Sequence, residues 1–442
     1  MFENIIEQGA VLQLRDDILN NRNAPSMLFF GPPDSGKGSA ALELARVLSC
    51  EEKASWNCSC PSCKRHKYLA HDDLLVLGKR VFAAEISACN SAFLRDPSNQ
   101  KTKTVFCRSL RKLQIRFSPT IMEDDQKTAK AVVGILQSLD EDLNEFESLD
   151  TQTCDKTSLE KLCLSLVKNA LKLEEEGISD LIPVNHIRSA SYWCRLSPAG
   201  KHKTLIIENA ENMRDEARNS LLKLLEEPPT SVTIVLTAQR REAILATLLS
   251  RLRPYRFLRR SIESEKEVIR RVFQDNEFEK TFKENSFSLS AYLDSFLVHN
   301  TNKLYPLAAW FIVSLARIIS RSAGSDNIPV IIKTLGERYA PIAESAGFER
   351  SLKSTAVIKT IISQSKNFED ASFSRFMKIT LDLICEITRA ENSPQYILYY
   401  DIFKKYINDA VTSVEILNIN TTIALESLFY NLKKAVIRGQ YG

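Results

Sequence analysis

The sequence predicts an α/β fold with a mainly parallel sheet in its first part and an all-helical remainder. Three observations carry this. Short apolar runs alternate with helical patterns up to about residue 258, a Gly/Pro turn joins the first run to the first helix, and no strand series follows Phe257. Strands separated by helices imply a parallel sheet covered on both faces. The 442 residues exceed one small module and suggest about two to four domains.

The elements follow in order. Met27-Leu28-Phe29-Phe30 is a short apolar run that reads as a strand, and Ala40, Ala41, Leu42, Leu44, Ala45, Val47 and Leu48 recur at helical spacing after it. Residues 79 to about 180 change character: Asn99-Gln100-Lys101-Thr102-Lys103 reads as a polar linker, and 122–150 is rich in Asp and Glu. This stretch is expected to be a helical insertion, with helices near 126–147 and 157–175 and a solvated acidic face, a partner-binding surface being the alternative. Thr204-Leu205-Ile206-Ile207 reads as a second strand. Ala217, Leu221, Leu224 and Leu225 line one face of a helix that ends at Pro228-Pro229. Val232-Thr233-Ile234-Val235-Leu236 is β-branched and reads as a third strand.

Composition excludes several classes. Lys+Arg of 59 against Asp+Glu of 55 leaves +4, so any nucleic-acid contact must be local rather than spread over the chain. Only 13 glycines with 44% hydrophobic and 26% charged residues fit a helix-rich globular protein. The longest apolar stretch, Leu307 to Ala316, is ten residues, too short to span a bilayer, and no membrane association is expected. Met1-Phe2-Glu3-Asn4 lacks the flanks of a secretory signal, which predicts a cytoplasmic, reducing location for the ten cysteines.

Gly31-Pro32-Pro33-Asp34-Ser35-Gly36-Lys37-Gly38 matches G-x-x-x-x-G-K at every fixed place and lies between a strand and a helix. Such a loop offers backbone N–H groups, a helix N-terminus and the Lys37 charge to phosphate oxygens, so ATP is the expected ligand. The next position normally carries the Ser or Thr hydroxyl that ligates magnesium. Here it is Gly38, and Ser39, one helical step of about 100° further round, points away. The strand that should end in Asp-Glu ends in Glu208-Asn209. Glu208 keeps a carboxylate for the metal, whereas Asn209 is a poor general base. Both departures fall on hydrolysis, so magnesium is expected to be weakly held. The alternative for Glu208 and Asn209 is a strand end and helix cap.

Four of the cysteines crowd into fourteen positions, Cys50, Cys58, Cys60 and Cys63, which in a reducing compartment suggests a metal site. The spacing is C-x7-C-x1-C-x2-C. The one-residue gap predicts a strained knuckle with Cys60 as the weakest ligand, and four free structural thiols are the alternative. His66 and His71 could replace a thiolate, although a solvated surface position is expected for both.

The phosphate loop, Leu222-Lys223-Leu224-Leu225-Glu226-Glu227-Pro228-Pro229, the strand end Leu236-Thr237-Ala238 and Ile244 to Arg251 closely resemble the bacterial DNA polymerase III clamp-loader subunits. These are AAA+ proteins of the gamma/tau and delta-prime type, and the likeness covers roughly 1–78 and 180–258. The resemblance implies an AAA+ domain over 1–258 with a zinc module at 49–66 and the insertion at 79–180. It implies a helical lid over 259–300 and a helical oligomerisation collar over 301–442. It further implies that Arg251 of Ser250-Arg251, with Leu252 in place of the family's Cys, is an arginine finger reaching a neighbour's ATP, that Thr237 is a polar sensor of the terminal phosphate, and that the four cysteines hold Zn2+. The family spacing resembles C-x8-C-x2-C-x2-C, from which this chain departs.

An altered metal and base position beside an intact arginine resembles the delta-prime role. The expected function is a clamp-loader subunit that binds ATP with weak or no hydrolysis of its own. Its partners would be gamma/tau and delta subunits, the sliding clamp and primer-template DNA, with polymerisation residing in another chain. Two alternatives remain: an active gamma/tau-type ATPase using Glu208, and a DNA repair or recombination AAA+ ATPase.

Overall fold

The computed structural model describes residues 1–150, 154–179, 181–280, 288–296, 301–323, 329–345, 353–365, 372–391, 393–415 and 419–438. Parts of the expected lid (281–287 and 297–300) and the end of the expected collar (439–442) lie outside the described residues. The chain divides into two compact units, Met1–Leu297 and Val298–Gly442.

In the first unit the strands are β1 (Ser26–Phe30), β2 (Leu74–Gly78), β3 (Lys203–Glu208), β4 (Val232–Ala238) and β5 (Arg253–Arg256). Among the described residues they form one parallel sheet in the order β2-β3-β4-β1-β5. Alternate residues face opposite sides because a strand has a period of two. Met27, Phe29, Val76, Ile206, Val235 and Tyr255 enter one core, and Leu28, Leu75, Leu77, Leu205, Ile207 and Leu236 the other. Helices α1 (Gly9–Leu19) and α2 (Lys37–Leu48) cover the first face together with the cysteine segment, which leads into α3 (Pro61–Lys67).

Strands β2 and β5 are additions to the sequence reading. Leu74-Leu75-Val76-Leu77 is as apolar as β1, but it sits among charged neighbours, and only pairing with β3 reveals it. The insertion contains α4 (Ala83–Arg95), α5 (Gln100–Gln114), α6 (Gln126–Ser148) and α7 (Lys156–Gly177); the last two match the helices expected near 126–147 and 157–175. The polar stretch 99–103 is not a linker. Asn99 caps α5 by accepting the Lys101 N–H at 3.0 Å, and the polar residues form its first turn ahead of buried Phe106, Leu110 and Leu113. Ile269, Phe273, Phe278, Leu289 and Tyr292, from the segment expected as the lid, share the core of these insertion helices. Two further helices, α8 (Val184–Arg195) and α9 (Asp215–Glu226), cover the second sheet face.

The second unit is helical: Thr301–Ala323, Val330–Ser345, Ser354–Ser365, Ser372–Glu391, Pro394–Glu415 and Thr421–Arg438. The first of these runs well past the ten-residue apolar stretch, because Arg317 is tolerated at the side of a central helix. Its window Leu304–Arg321 is long and apolar enough to cross a membrane, yet 72% of it is buried, packed among Ile332, Leu335, Phe376, Leu425 and Phe429.

Candidate functional site

The phosphate loop follows β1 at the C-terminal edge of the sheet. Gly31 donates its N–H to the Ala238 carbonyl at 3.2 Å, and any Cβ there would collide with the Phe257 carbonyl oxygen. Gly36, at φ 93°, takes the left-handed turn into α2. Lys37 opens that helix, and its Nζ donates to the carbonyls of Gly31 (2.7 Å) and Pro32 (2.5 Å) and to Ser35 Oγ (3.3 Å). Burial pulls the ammonium pKa down to about 8. Ser35 Oγ donates to the Pro32 carbonyl at 2.8 Å. Asp34 holds a left-handed φ of 57°, and its carbonyl accepts from Arg260, whose guanidinium lies over Gly36. Ser39 is the third residue of α2 and half-buried.

Facing the loop, β3 ends at Glu208, level with Gly78 of β2. The Glu208 carboxylate is buried and accepts from Arg116 Nη2 at 2.6 Å and Arg80 Nη1 at 3.5 Å. Burial alone would raise this carboxyl, but Arg116 and then Arg80 hold it below the usual carboxylate range. Asn209 stands at the cap position of the following turn, where its carbonyl accepts the Asn212 N–H at 2.9 Å, but its side chain makes no cap bond. It sits at φ 51°, and its Nδ2 donates to the Lys79 carbonyl at 2.6 Å, tying β3 to β2. Thr237, near the end of β4, is buried and accepts the Asn209 N–H at 3.1 Å; its hydroxyl retains a proton to donate.

Ser250 and Arg251 follow the short helix Ala246–Leu249 and precede β5. Arg251 donates to the Thr247 carbonyl (2.6 Å), to Ser250 Oγ (3.1 Å) and to Glu226 (2.7 Å). In the parallel register Arg253 pairs with Met27 and Arg256 with Phe30. Arg251 therefore lies at the N-terminal edge of the sheet while the loop lies at the other, about 10 Å or more away along the strands.

The four cysteine sulfurs lie within 4.8 Å of one another. Cys50 Sγ is 3.7 Å from Cys58 Sγ and 4.0 Å from Cys60 Sγ, close to the ~3.8 Å edge of a tetrahedron with ~2.3 Å zinc–sulfur bonds. The donor set therefore fits a metal ion such as zinc. The strain expected at Cys60 is absent: its backbone is ordinary at φ −58°, ψ 156°, and its sulfur accepts the Cys63 N–H at 3.4 Å. Burial raises the Cys60 thiol, but backbone N–H groups, that of Cys63 first, bring it to about 7.

His66 and His71 are buried rather than solvated. Their rings stack at 4.0 Å. His71 Nδ1 accepts the Asp73 N–H (3.1 Å), so its Nε2 carries the proton and donates to Ser62 Oγ (3.0 Å). They pack the module and leave the thiolate set complete without them.

Sequence reasoning missed four arginines. Arg46 is buried on α2, pairs with Glu43 at 2.7 Å, and donates to Cys63 Sγ (3.0 Å) and to the Ala54 and Ser55 carbonyls. Glu43 also accepts the Phe2 N–H. Arg80, Arg116 and Arg260 reach the loop region from outside its motif. The apolar run before Gly78 was the one available signal, since a strand there places Arg80 beside Glu208.

Residues 6–261 match the family described as DNA polymerase III, delta subunit. A DNA polymerase III gamma subunit-related protein from Thermotoga maritima, solved by crystallography, is 19% identical, with 58% of this chain and 81% of that chain covered and a TM-score of 0.33. No curated protein matches the chain.

Proposed function

The chain belongs to the DNA polymerase III delta-subunit family, a clamp-loader family, and from that premise we propose that it is a delta-prime-like loader subunit. In this reading it binds ATP at Gly31–Ser39, turns it over weakly or not at all, and presents Arg251 to the ATP of a neighbouring subunit. The observation that carries the reading is the placement of Arg251 at the sheet edge opposite its own loop. A guanidinium there can stabilise a transferring phosphoryl group only on another molecule.

Its partners would be gamma/tau and delta subunits, the sliding clamp and primer-template DNA, in the cytoplasm. Residues 259–300 would act as the lid and 301–442 as the collar, while Cys50, Cys58, Cys60 and Cys63 would hold a structural Zn2+. Bound there, zinc would cross-link the segment before α3 to the end of α2, and the Arg46 guanidinium on Cys63 would offset thiolate charge. Thr237 would sense the terminal phosphate through its hydroxyl.

Glu208 separates this role from that of an active gamma/tau-type ATPase. Its carboxylate is engaged by Arg116 and Arg80, which leaves it unsuited to act as a base. A Glu208→Gln variant in the reconstituted loader is expected to keep ATP turnover within about two-fold of the parent. A loss of roughly a hundred-fold or more, the scale of general-base catalysis, would assign the chemistry to this site instead.

A further inference from the structure

We propose that the guanidinium of Arg80, backed by Arg116 on Glu208, stands where a phosphate loop normally holds its divalent cation, so that this chain binds a nucleoside polyphosphate without a metal ion. The inference rests on the nucleotide-binding reading of the loop. It goes beyond that reading by assigning two residues outside the motif and a metal-free ligand.

The residues present do not fit magnesium. Three groups usually matter: a hydroxyl after the lysine, a free carboxylate at the end of the adjacent strand, and room between them. Gly38 has no hydroxyl. The space its side chain would enter is already filled, since a Cβ on Gly38 would lie 2.5 Å from Glu208 Oε1 and 3.1 Å from Arg80 Nη1. A magnesium–oxygen bond of ~2.1 Å plus a carbon–oxygen bond of ~1.4 Å would put a metal held by residue 38 within about 3.5 Å of that Cβ. Arg80 Nη1 is inside the same radius. Both Glu208 oxygens face cations, Oε2 toward Arg116 and Oε1 toward Arg80, so a divalent ion would have to displace one guanidinium and withstand the repulsion of the other. The Asn209 amide is committed to the Lys79 carbonyl.

The two arginines are held differently, and the difference assigns their roles. Arg116 is fixed: it binds Glu208 at 2.6 Å, and it also reaches the Gly78 and Lys112 carbonyls at 3.4 Å. It neutralises the carboxylate. Arg80 is held firmly on one side only, by Glu85 at 2.7 Å through Nη2, while its Nη1 contact to Glu208 is long at 3.5 Å and its side chain is 28% exposed. That Nη1 edge is the one a phosphate oxygen can draw away. A planar guanidinium donates two parallel hydrogen bonds to phosphate and does not deprotonate, which suits it to replace a dication's charge in part. Lys37 and Arg260 flank the same loop, so three cationic side chains surround the phosphate position.

The test is fluorescence titration of the full chain with N-methylanthraniloyl-ATP, in excess EDTA and in millimolar magnesium. The expected dissociation constants agree within about three-fold. Arg80→Ala should weaken binding in EDTA by roughly ten- to a hundred-fold, the scale of one charge-assisted pair to phosphate. Arg80→Lys, which keeps the charge without the fork, should fall between, and thermal melts of both variants check their folding. Magnesium-dependent binding, tightened ten-fold or more and lost on chelation, would overturn the inference and leave the nucleotide reading standing. A folded Arg80→Ala with unchanged affinity would also overturn it. Absence of binding in both buffers would remove the nucleotide reading as well, while leaving the Arg251 role to its own test.

Discussion

Arg251→Ala, assembled with the other subunits of its loader, should lower ATP turnover at the neighbouring site by roughly a thousand-fold or more, the range removed with an arginine finger. The cause is geometric. The Arg251 guanidinium leaves the sheet at the edge where β5 begins, with its own phosphate loop at the opposite edge. Its present hydrogen bonds to Thr247, Ser250 and Glu226 are surface contacts, with the side chain 33% exposed, and an exposed pair of this kind is worth less than about 1 kcal/mol. Removing the arginine should therefore leave folding and assembly intact while the rate falls. Arg251→Lys should not restore it, because a compact ammonium cannot form two parallel bonds to a phosphoryl group. The replacement of the family's Cys by Leu252 has little bearing on this, since the guanidinium carries the charge. Steady-state turnover of the reconstituted complex is the measurement, and an unchanged rate would show that Arg251 is an ordinary surface residue.

Stripping metal from the cysteine cluster should produce the largest change in stability. Elemental analysis of native protein is expected to find one zinc per chain. Chelation should lower the melting temperature of the first unit by roughly 20 °C or more, given metal-binding energies on the order of 10 kcal/mol and about 2–4 °C per kcal/mol for a domain of this size. The four sulfurs already lie within 4.8 Å of one another, and Cys50 stands 3.7 and 4.0 Å from Cys58 and Cys60, so little reorganisation opposes binding. Cys63→Ser should reproduce the effect. Arg46→Ala should cost about 3–5 kcal/mol through a different route, by leaving Glu43 charged and buried without its partner. A chain that carries no zinc and melts identically with and without chelator would make the cysteines plain packing residues.

The parts of this molecule that could be read from sequence are those whose signal is local. The loop from Gly31 to Gly38 sits between β1 and α2 as its motif requires, and β3, β4 and the cysteine cluster each announce themselves within fourteen residues or fewer. What was hidden depends on pairing across the chain. Strand β2 is short and needs β3 beside it, and with β2 unseen nothing placed Arg80 next to Glu208, 128 residues away. Arg116 reaches the same carboxylate across 92 residues from within the insertion, a region whose helices were legible but whose contacts were not. The burial of His66 and His71 escaped notice for a related reason. Both adjoin charged residues in sequence, Arg65 and Lys67 for His66 and Asp72 for His71, and only the fold of the cysteine segment closes over them. The polar stretch 99–103 shows the opposite failure, where local composition suggested a linker although a cap and a later apolar stripe make a helix.

The proposed role requires that this chain work inside a clamp loader. The most direct measurement is mass spectrometry of what co-purifies with the native protein from its own cells. Recovery of a second AAA+ subunit together with a sliding clamp is the predicted result; recovery of the protein alone, or with repair factors and no clamp, would contradict it.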